Sequence, residues 1–182
     1  MKMVNWLSRW TLWLGLLSAV SLPAWAAAPA VGEAAPAFRL VDQHGVWREL
    51  AEFRGRWLVL YFYPKDQTQG CTEQACSFRD DFVKLKLLGA EVVGISLDSR
   101  ESHAAFAQKY LLPFPLLSDP DGETAARYGA LRNLLVLKFA KRHTFLIDPN
   151  GKIARRYTDL DTATYASRIV KDLSALTRKP AH

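Results

Sequence analysis

Residues Arg56 to Tyr63 read RWLVLYFY, a near-continuous apolar and aromatic run closed by Pro64. Its length and its β-branched or aromatic content argue for a buried central strand. After Pro64 the period changes. Ala75, Phe78, Phe82 and Leu85 recur at three- and four-residue steps, with Arg79, Asp80, Asp81 and Lys84 between them. That spacing predicts an amphipathic helix over Cys71 to Leu88, stopped by Gly89.

The rest of the chain alternates in the same way. Phe38 to Val41 and Val46 to Leu50 flank Gln43-His44-Gly45 and predict an N-terminal β-hairpin. Glu91 to Leu97 is a strand, Glu101 to Tyr110 a helix, Leu116-Leu117 a short strand and Gly122 to Tyr128 a short helix. His143 to Ile147 and Lys152 to Tyr157 flank Asp148-Pro149-Asn150-Gly151, a strong turn signal. Thr162 to Leu176 carries Tyr165, Ile169, Leu173 and Leu176 on one helical face. The order predicts an α/β fold with a central mixed sheet, mostly parallel, and an antiparallel hairpin at its edge. Leu134 to Phe139 is apolar, and is expected either to pack inward or to form a partner patch.

The first 26 residues read as a signal peptide rather than as part of the fold. Lys2 and Arg9 give a positive start, Trp10 to Val20 is apolar, and Ala24-Trp25-Ala26 fits a small-x-small cleavage site. The apolar run is short of the about 20 residues that span a bilayer. Export and cleavage near Ala26, hence a periplasmic protein, are the expectation. Residues 27–36 are small and Pro-containing and read as a linker into a domain at 37–182. Losing Lys2 and Arg9 lowers the formal charge from +6 to +4. That charge is spread along the chain, with no basic run longer than Lys141-Arg142 and Arg155-Arg156, so a nucleic-acid partner is not expected.

Both cysteines of the chain, Cys71 and Cys76, lie in Cys71-Thr72-Glu73-Gln74-Ala75-Cys76. As a structural staple this pair is weak, because a loop of about five residues removes little unfolded-state entropy. Cys71 falls where a buried strand gives way to a helix. Free N–H groups and the positive end of the helix dipole favour an anion there, and for cysteine the anion is the nucleophilic thiolate. Five residues along an intact helix separate the Cα atoms by roughly 8–9 Å, beyond the disulfide limit of about 7 Å. Either the helix is absent or oxidation unwinds it. His44, His103, His143 and His182 are scattered and share no ligand spacing, so neither metal nor cofactor is expected.

Pro64-x-x-x-Thr68-x-x-Cys71 matches the peroxiredoxin active-site motif. The longer string from Tyr61 to Asp80 resembles the Q-type subfamily, also called bacterioferritin comigratory protein. Further family-like pieces are Gly32 to Phe38, Val93 to Asp98, Pro115 to Asp119 and Arg142 to Asp148. The resemblance covers about residues 31–176 and implies a thioredoxin-like fold. It also implies roles. Cys71 would be the peroxidatic cysteine and Cys76 the resolving one, joined as a redox disulfide. Thr68 would orient the peroxide, Pro64 would shield the pocket and Arg142 would supply the cation. Hydroperoxides would be the substrate and thioredoxin or a thioredoxin-like protein the reductant, with the protein a monomer or weak dimer. The competing readings are a thiol–disulfide oxidoreductase, which usually needs Cys-x-x-Cys, and a copper-binding assembly protein of the same fold, with His143 as the plausible extra ligand.

Overall fold

The computed structural model describes residues 28–134, 136–158 and 161–178. The segment expected to be cleaved near Ala26 lies outside the described residues. Strand β1 (Arg39–Asp42) turns at Gly45 into β2 (Trp47–Glu49), followed by a 3-10 turn at Leu50–Phe53. Then come β3 (Trp57–Phe62), α1 (Gln69–Asp80), α2 (Phe82–Leu87), β4 (Ala90–Ser96), α3 (Arg100–Tyr110), β5 (Leu116–Ser118) and α4 (Glu123–Arg127). A hairpin of β6 (Leu131–Leu134) and β7 (Leu137–Ala140) precedes β8 (Thr144–Ile147) and β9 (Ile153–Tyr157). A 3-10 turn at Thr162–Thr164 leads into α5 (Tyr165–Thr177).

The strands order as β2-β1-β5-β4-β3-β8-β9. Position two residues apart decides which core each β3 side chain enters, because strand side chains alternate between faces. Val59, Tyr61 and Tyr63 pack with Cys71, Ala75 and Phe78 of α1, Leu85 of α2, Phe106 of α3 and Ile169 and Leu173 of α5. Leu58, Leu60 and Phe62 pack on the other face with Phe38, Phe53, Tyr128, Phe145 and Ile147. Two cores on two faces explain why the run has no polar alternation.

The sheet corrects one expectation. Among the described residues β3–β4 and β4–β5 are the parallel pairings of this sheet, and its other four pairings are antiparallel. A parallel neighbour requires a crossover that returns the chain to the sheet's starting edge. The five residues of α4 span only about 7.5 Å and make no such return. The hairpin β6–β7 runs out and back, so β8 enters beside β3 from the end where β5 finishes.

The remaining findings are local. The helix expected over Cys71 to Leu88 breaks at Asp81, whose φ of −94° and ψ of 6° lie outside the helical region. The turn redirects α2 so that Leu85 reaches the core. The apolar stretch from Leu134 to Phe139 does not pack inward as a whole. Of its described residues, Leu134, Val136 and Leu137 lie at the tip of the two-stranded β6–β7 sheet and are exposed, Val136 at 99%. Within residues 27–36, read as a linker, Gly32, Glu33 and Ala35 are hydrogen-bonded to Gly151 and Ile153 at the start of β9. Gly32 N–H donates to Ile153 O at 2.8 Å, Ile153 N–H to Glu33 O at 2.8 Å, and Ala35 N–H to Gly151 O at 2.9 Å.

Gly94 on β4 faces the Tyr61 ring beneath α1. A Cβ there would sit 2.6 Å from Tyr61 Cζ and 2.8 Å from Leu116 Cδ2. Tyr61 cannot retreat, since it stacks on Tyr63 and packs against Phe78 and Phe114. Gly94→Ala is therefore expected to lower stability by about 1–3 kcal/mol through overpacking. Urea unfolding should give an earlier midpoint at an unchanged slope.

Candidate active site

The loop from Pro64 to Thr68 carries the chain from the end of β3 to the start of α1. Gln67 takes a φ of 60°, a left-handed conformation that a side chain disfavours. Thr68 follows in extended geometry at the N-cap of α1, and Cys71 is the third helical residue. The first N–H groups of this helix have no helical acceptor, and with them the positive end of the helix dipole falls at the turn that carries Cys71.

Arg142 reaches the same turn from the segment between β7 and β8. That segment is held by Lys141 N–H to Ala130 O at 2.6 Å and by Phe62 N–H to His143 O at 2.7 Å. It therefore rests against the end of β3 from which the Cys71 loop departs. Arg142 Nη1 donates to Gly70 O at 3.1 Å and to Gln74 Oε1 at 2.5 Å, and Nη2 lies 3.5 Å from Cys71 Sγ. Gly70 permits this approach, since a Cβ there would lie 3.1 Å from Arg142 Nη2.

Cys71 is 1% exposed, and Cys76 is half-buried farther along the same helix. Both are free thiols. The sequence expectation that an intact helix keeps them apart agrees with their placement within α1. Other contacts hold the amino-terminal half of α1 folded. Gln69 Nε2 donates to Glu73 Oε1 at 3.2 Å, and Thr162 Oγ1 donates to Glu73 Oε2 at 2.8 Å. Arg79 secures the other half, donating to Tyr110 O and to Asp80. Asp80 first, and the neighbouring Cys76 after it, push the pKa of this guanidinium up.

The structure thus brings Cys71, Arg142 and Gly70 together, with Cys76 on the same helix. Thr68 is exposed, and its hydroxyl donates to Lys65 O at 3.0 Å. Pro64 is half-buried at the start of the loop. Sequence reading passed over Gln74, which is fully buried and holds Arg142. Its position three residues beyond Cys71, on the same side of the helix, was the available signal. Tyr61 lies behind the site. Burial above all, with Asp66, Cys71 and Cys76 adding to it, pushes its pKa well up and keeps the hydroxyl protonated. A cavity of about 330 Å³ between Asp42–His44 and Leu112–Pro115 shares no residue with this group.

This chain belongs to the AhpC/TSA family, whose model matches residues 31–156. Within that family it groups with the peroxiredoxin Q, or bacterioferritin comigratory protein, relatives. It is 48% identical over 128 residues to chloroplastic peroxiredoxin Q of Sedum lineare, covering 70% of this chain and 68% of that one. It is 41% identical over 144 residues to a putative peroxiredoxin bcp of Coxiella burnetii, covering 77% and 95%. Several other plant peroxiredoxins Q are spanned for less than two thirds of their length, for example 60% of the Populus jackii protein. Among solved structures, peroxidoxin BcpB of Mycobacterium tuberculosis superposes with a TM-score of 0.77 at 35% identity, covering 81% of this chain and 98% of that one. A Xanthomonas campestris bacterioferritin comigratory protein, described for its alkyl peroxide reduction activity, gives 0.73 at 30% identity over 77% and 92%.

Proposed function

We propose that this chain is a thiol peroxidase that reduces hydrogen peroxide and organic hydroperoxides with Cys71 and forms a Cys71–Cys76 disulfide. The observation that carries the reading is the Arg142 guanidinium 3.5 Å from Cys71 Sγ at the first turn of α1. A guanidinium and free helix N–H groups stabilise a thiolate, and they also stabilise charge developing on a peroxide oxygen.

In the first step the Cys71 thiolate attacks one peroxide oxygen. The O–O bond breaks, and the leaving oxygen takes a proton and departs as water or an alcohol. Cys71 becomes a sulfenic acid. In that step Thr68 orients the peroxide once its hydroxyl turns from Lys65 O, and Pro64 keeps water from the sulfur. The first turns of α1 then unwind, releasing the Glu73–Thr162 and Gln74–Arg142 contacts. The Cys76 sulfur attacks Cys71 Sγ, an S–S bond forms, and the hydroxyl leaves as water. An external dithiol, from thioredoxin or a thioredoxin-like protein, is oxidised as it returns the pair to thiols. The alkyl peroxide activity ascribed to the Xanthomonas relative favours organic hydroperoxides among the substrates. The amino-terminal charge pattern favours export, cleavage near Ala26 and work in the periplasm, as a monomer or weak dimer.

Mixing the reduced protein with one equivalent of hydrogen peroxide tests this. Two thiols per chain should disappear, and peptide mapping should recover Cys71 joined to Cys76. Retention of both thiols would remove the proposal.

A further inference from the structure

The loop beneath Cys71 contains an acid where a loop acid is normally solvated. Asp66 is nearly buried, and so is its partner His103 on α3. An unpaired carboxylate in that position would be strongly unfavourable. Asp66 is instead saturated. Its Oδ1 accepts from Tyr63 Oη at 2.7 Å. Its Oδ2 accepts from Ser102 Oγ at 2.7 Å and faces His103 Nδ1 at 2.8 Å. Its backbone N–H donates to Asp98 Oδ2 at 2.8 Å, and Ser96 Oγ donates to that same oxygen at 2.7 Å.

The imidazole is fixed from both sides. His103 Nε2 lies 3.2 Å from Leu117 O on β5. A carbonyl oxygen only accepts, so Nε2 carries a proton. A second proton must lie between Nδ1 and the Asp66 carboxylate, or two lone pairs would face each other. Tyr63 Oη also lies 3.3 Å from His103 Nδ1, but its proton is given to Asp66 Oδ1, so toward Nδ1 it can only accept. Burial first, then Tyr61 and Asp66, push its pKa well up, and its hydroxyl stays a donor. One residue of the catalytic loop is thereby tied to Tyr63 just past β3, to the end of β4, to α3 and, through His103, to β5. None of these bonds involves α1.

We infer that Asp66 and His103 are positioning residues: a buried acid–imidazole pair that clamps the Pro64–Thr68 loop to the sheet, so that Thr68 and the Cys71 turn keep their geometry for peroxide attack. The inference rests on the peroxidase reading given above. The clamp acts on the oxidation step. It does not act on disulfide formation, because α1 can unwind without disturbing any of its bonds. The loop then remains as a template on which the helix re-forms after reduction.

The test compares the full chain with its Asp66→Asn, His103→Gln, double and Ser102→Ala variants. Rapid-mixing measurements follow Cys71 oxidation by hydrogen peroxide and, separately, closure of the disulfide. Each of the first two variants should oxidise about tenfold to a hundredfold more slowly, the cost of sub-ångström to ångström misplacement. The double variant should be no slower than the worse single one, because the two residues act as a unit. Disulfide closure should change by less than about twofold, since the clamp does not contact the unwinding helix. A purely structural role would lower the melting temperature and leave both rates of the folded protein alone. Equal oxidation rates, or losses that multiply in the double variant, would overturn the inference. Should Asp66→Asn and His103→Gln fail to fold, Ser102→Ala decides. It removes one donor to Asp66 and should slow oxidation about threefold, and an unchanged rate would overturn the clamp. If the unaltered protein does not oxidise Cys71 at all, the peroxidase reading fails instead, and the two failures are distinguishable.

Discussion

Cys71→Ser is expected to abolish peroxide turnover, whereas Cys76→Ser keeps the first step and stops at a sulfenic acid. The two sulfurs share a helix, but their surroundings differ. Cys71 has the guanidinium of Arg142 and the open N–H groups of the first turn. A serine in that place presents a hydroxyl that does not ionise near neutral pH, and the rate should fall by at least about 10⁴-fold. Serine matches the cysteine closely in shape, so α1 should persist and the loss will report chemistry rather than folding. Cys76→Ser leaves the Cys71 site intact. Oxidation by one equivalent of peroxide should proceed at the wild-type rate, and a mass gain of one oxygen should sit on Cys71. Further peroxide should carry that sulfur on to the sulfinic acid, because no partner thiol intercepts it. If Cys71→Ser instead lost its Cys76 thiol to peroxide as fast as the unaltered protein, the attacking sulfur would be the wrong one.

The parts of this arrangement visible in the sequence are those with local causes. β3 was legible because both of its faces are apolar, and α1 because its buried residues recur at helical spacing. The barrier to a disulfide within an intact helix followed from rise and rotation alone. Strand neighbours have no such local signal. Nothing in Thr144–Ile147 states that it lies antiparallel to β3, and that pairing is decided by how far the short α4 carries the chain. The β6–β7 hairpin was missed because Leu134, Val136 and Leu137 occupy its tip without glycine or asparagine to mark a turn, and apolar character suggested burial that the fold does not supply. Asp81 ends α1 by its backbone angles, while its side chain suits an exposed helix face equally well. Asp66 and His103 are 37 positions apart and polar, so each reads alone as a solvated residue. Arg142 was assigned a role only by resemblance. Its 3.5 Å approach to Cys71 depends on a long-range register between β3 and the segment before β8.

Arg142→Ala is expected to slow Cys71 oxidation by about 10²- to 10³-fold, the usual consequence of removing one preorganised donor from a developing charge. The geometry explains why the effect should be large. At 3.5 Å the guanidinium interacts with a thiolate across a half-buried site that solvent screens poorly. A pair of unit charges near that distance is worth about 4 kcal/mol at an effective dielectric of 20. Arg142→Lys separates charge from shape. Lysine keeps the positive charge but presents a single ammonium in place of a planar fork, so it cannot bind Gly70 O and Gln74 Oε1 while facing Cys71 Sγ. It should recover part of the loss and remain about tenfold below the unaltered protein. Gln74→Leu tests the same idea from the other side, since it leaves Arg142 charged but removes its 2.5 Å anchor. Competition for limiting hydrogen peroxide at fixed pH would rank the three. Should Arg142→Ala oxidise within about twofold of the unaltered protein, the open end of α1 would by itself account for the reactivity of Cys71.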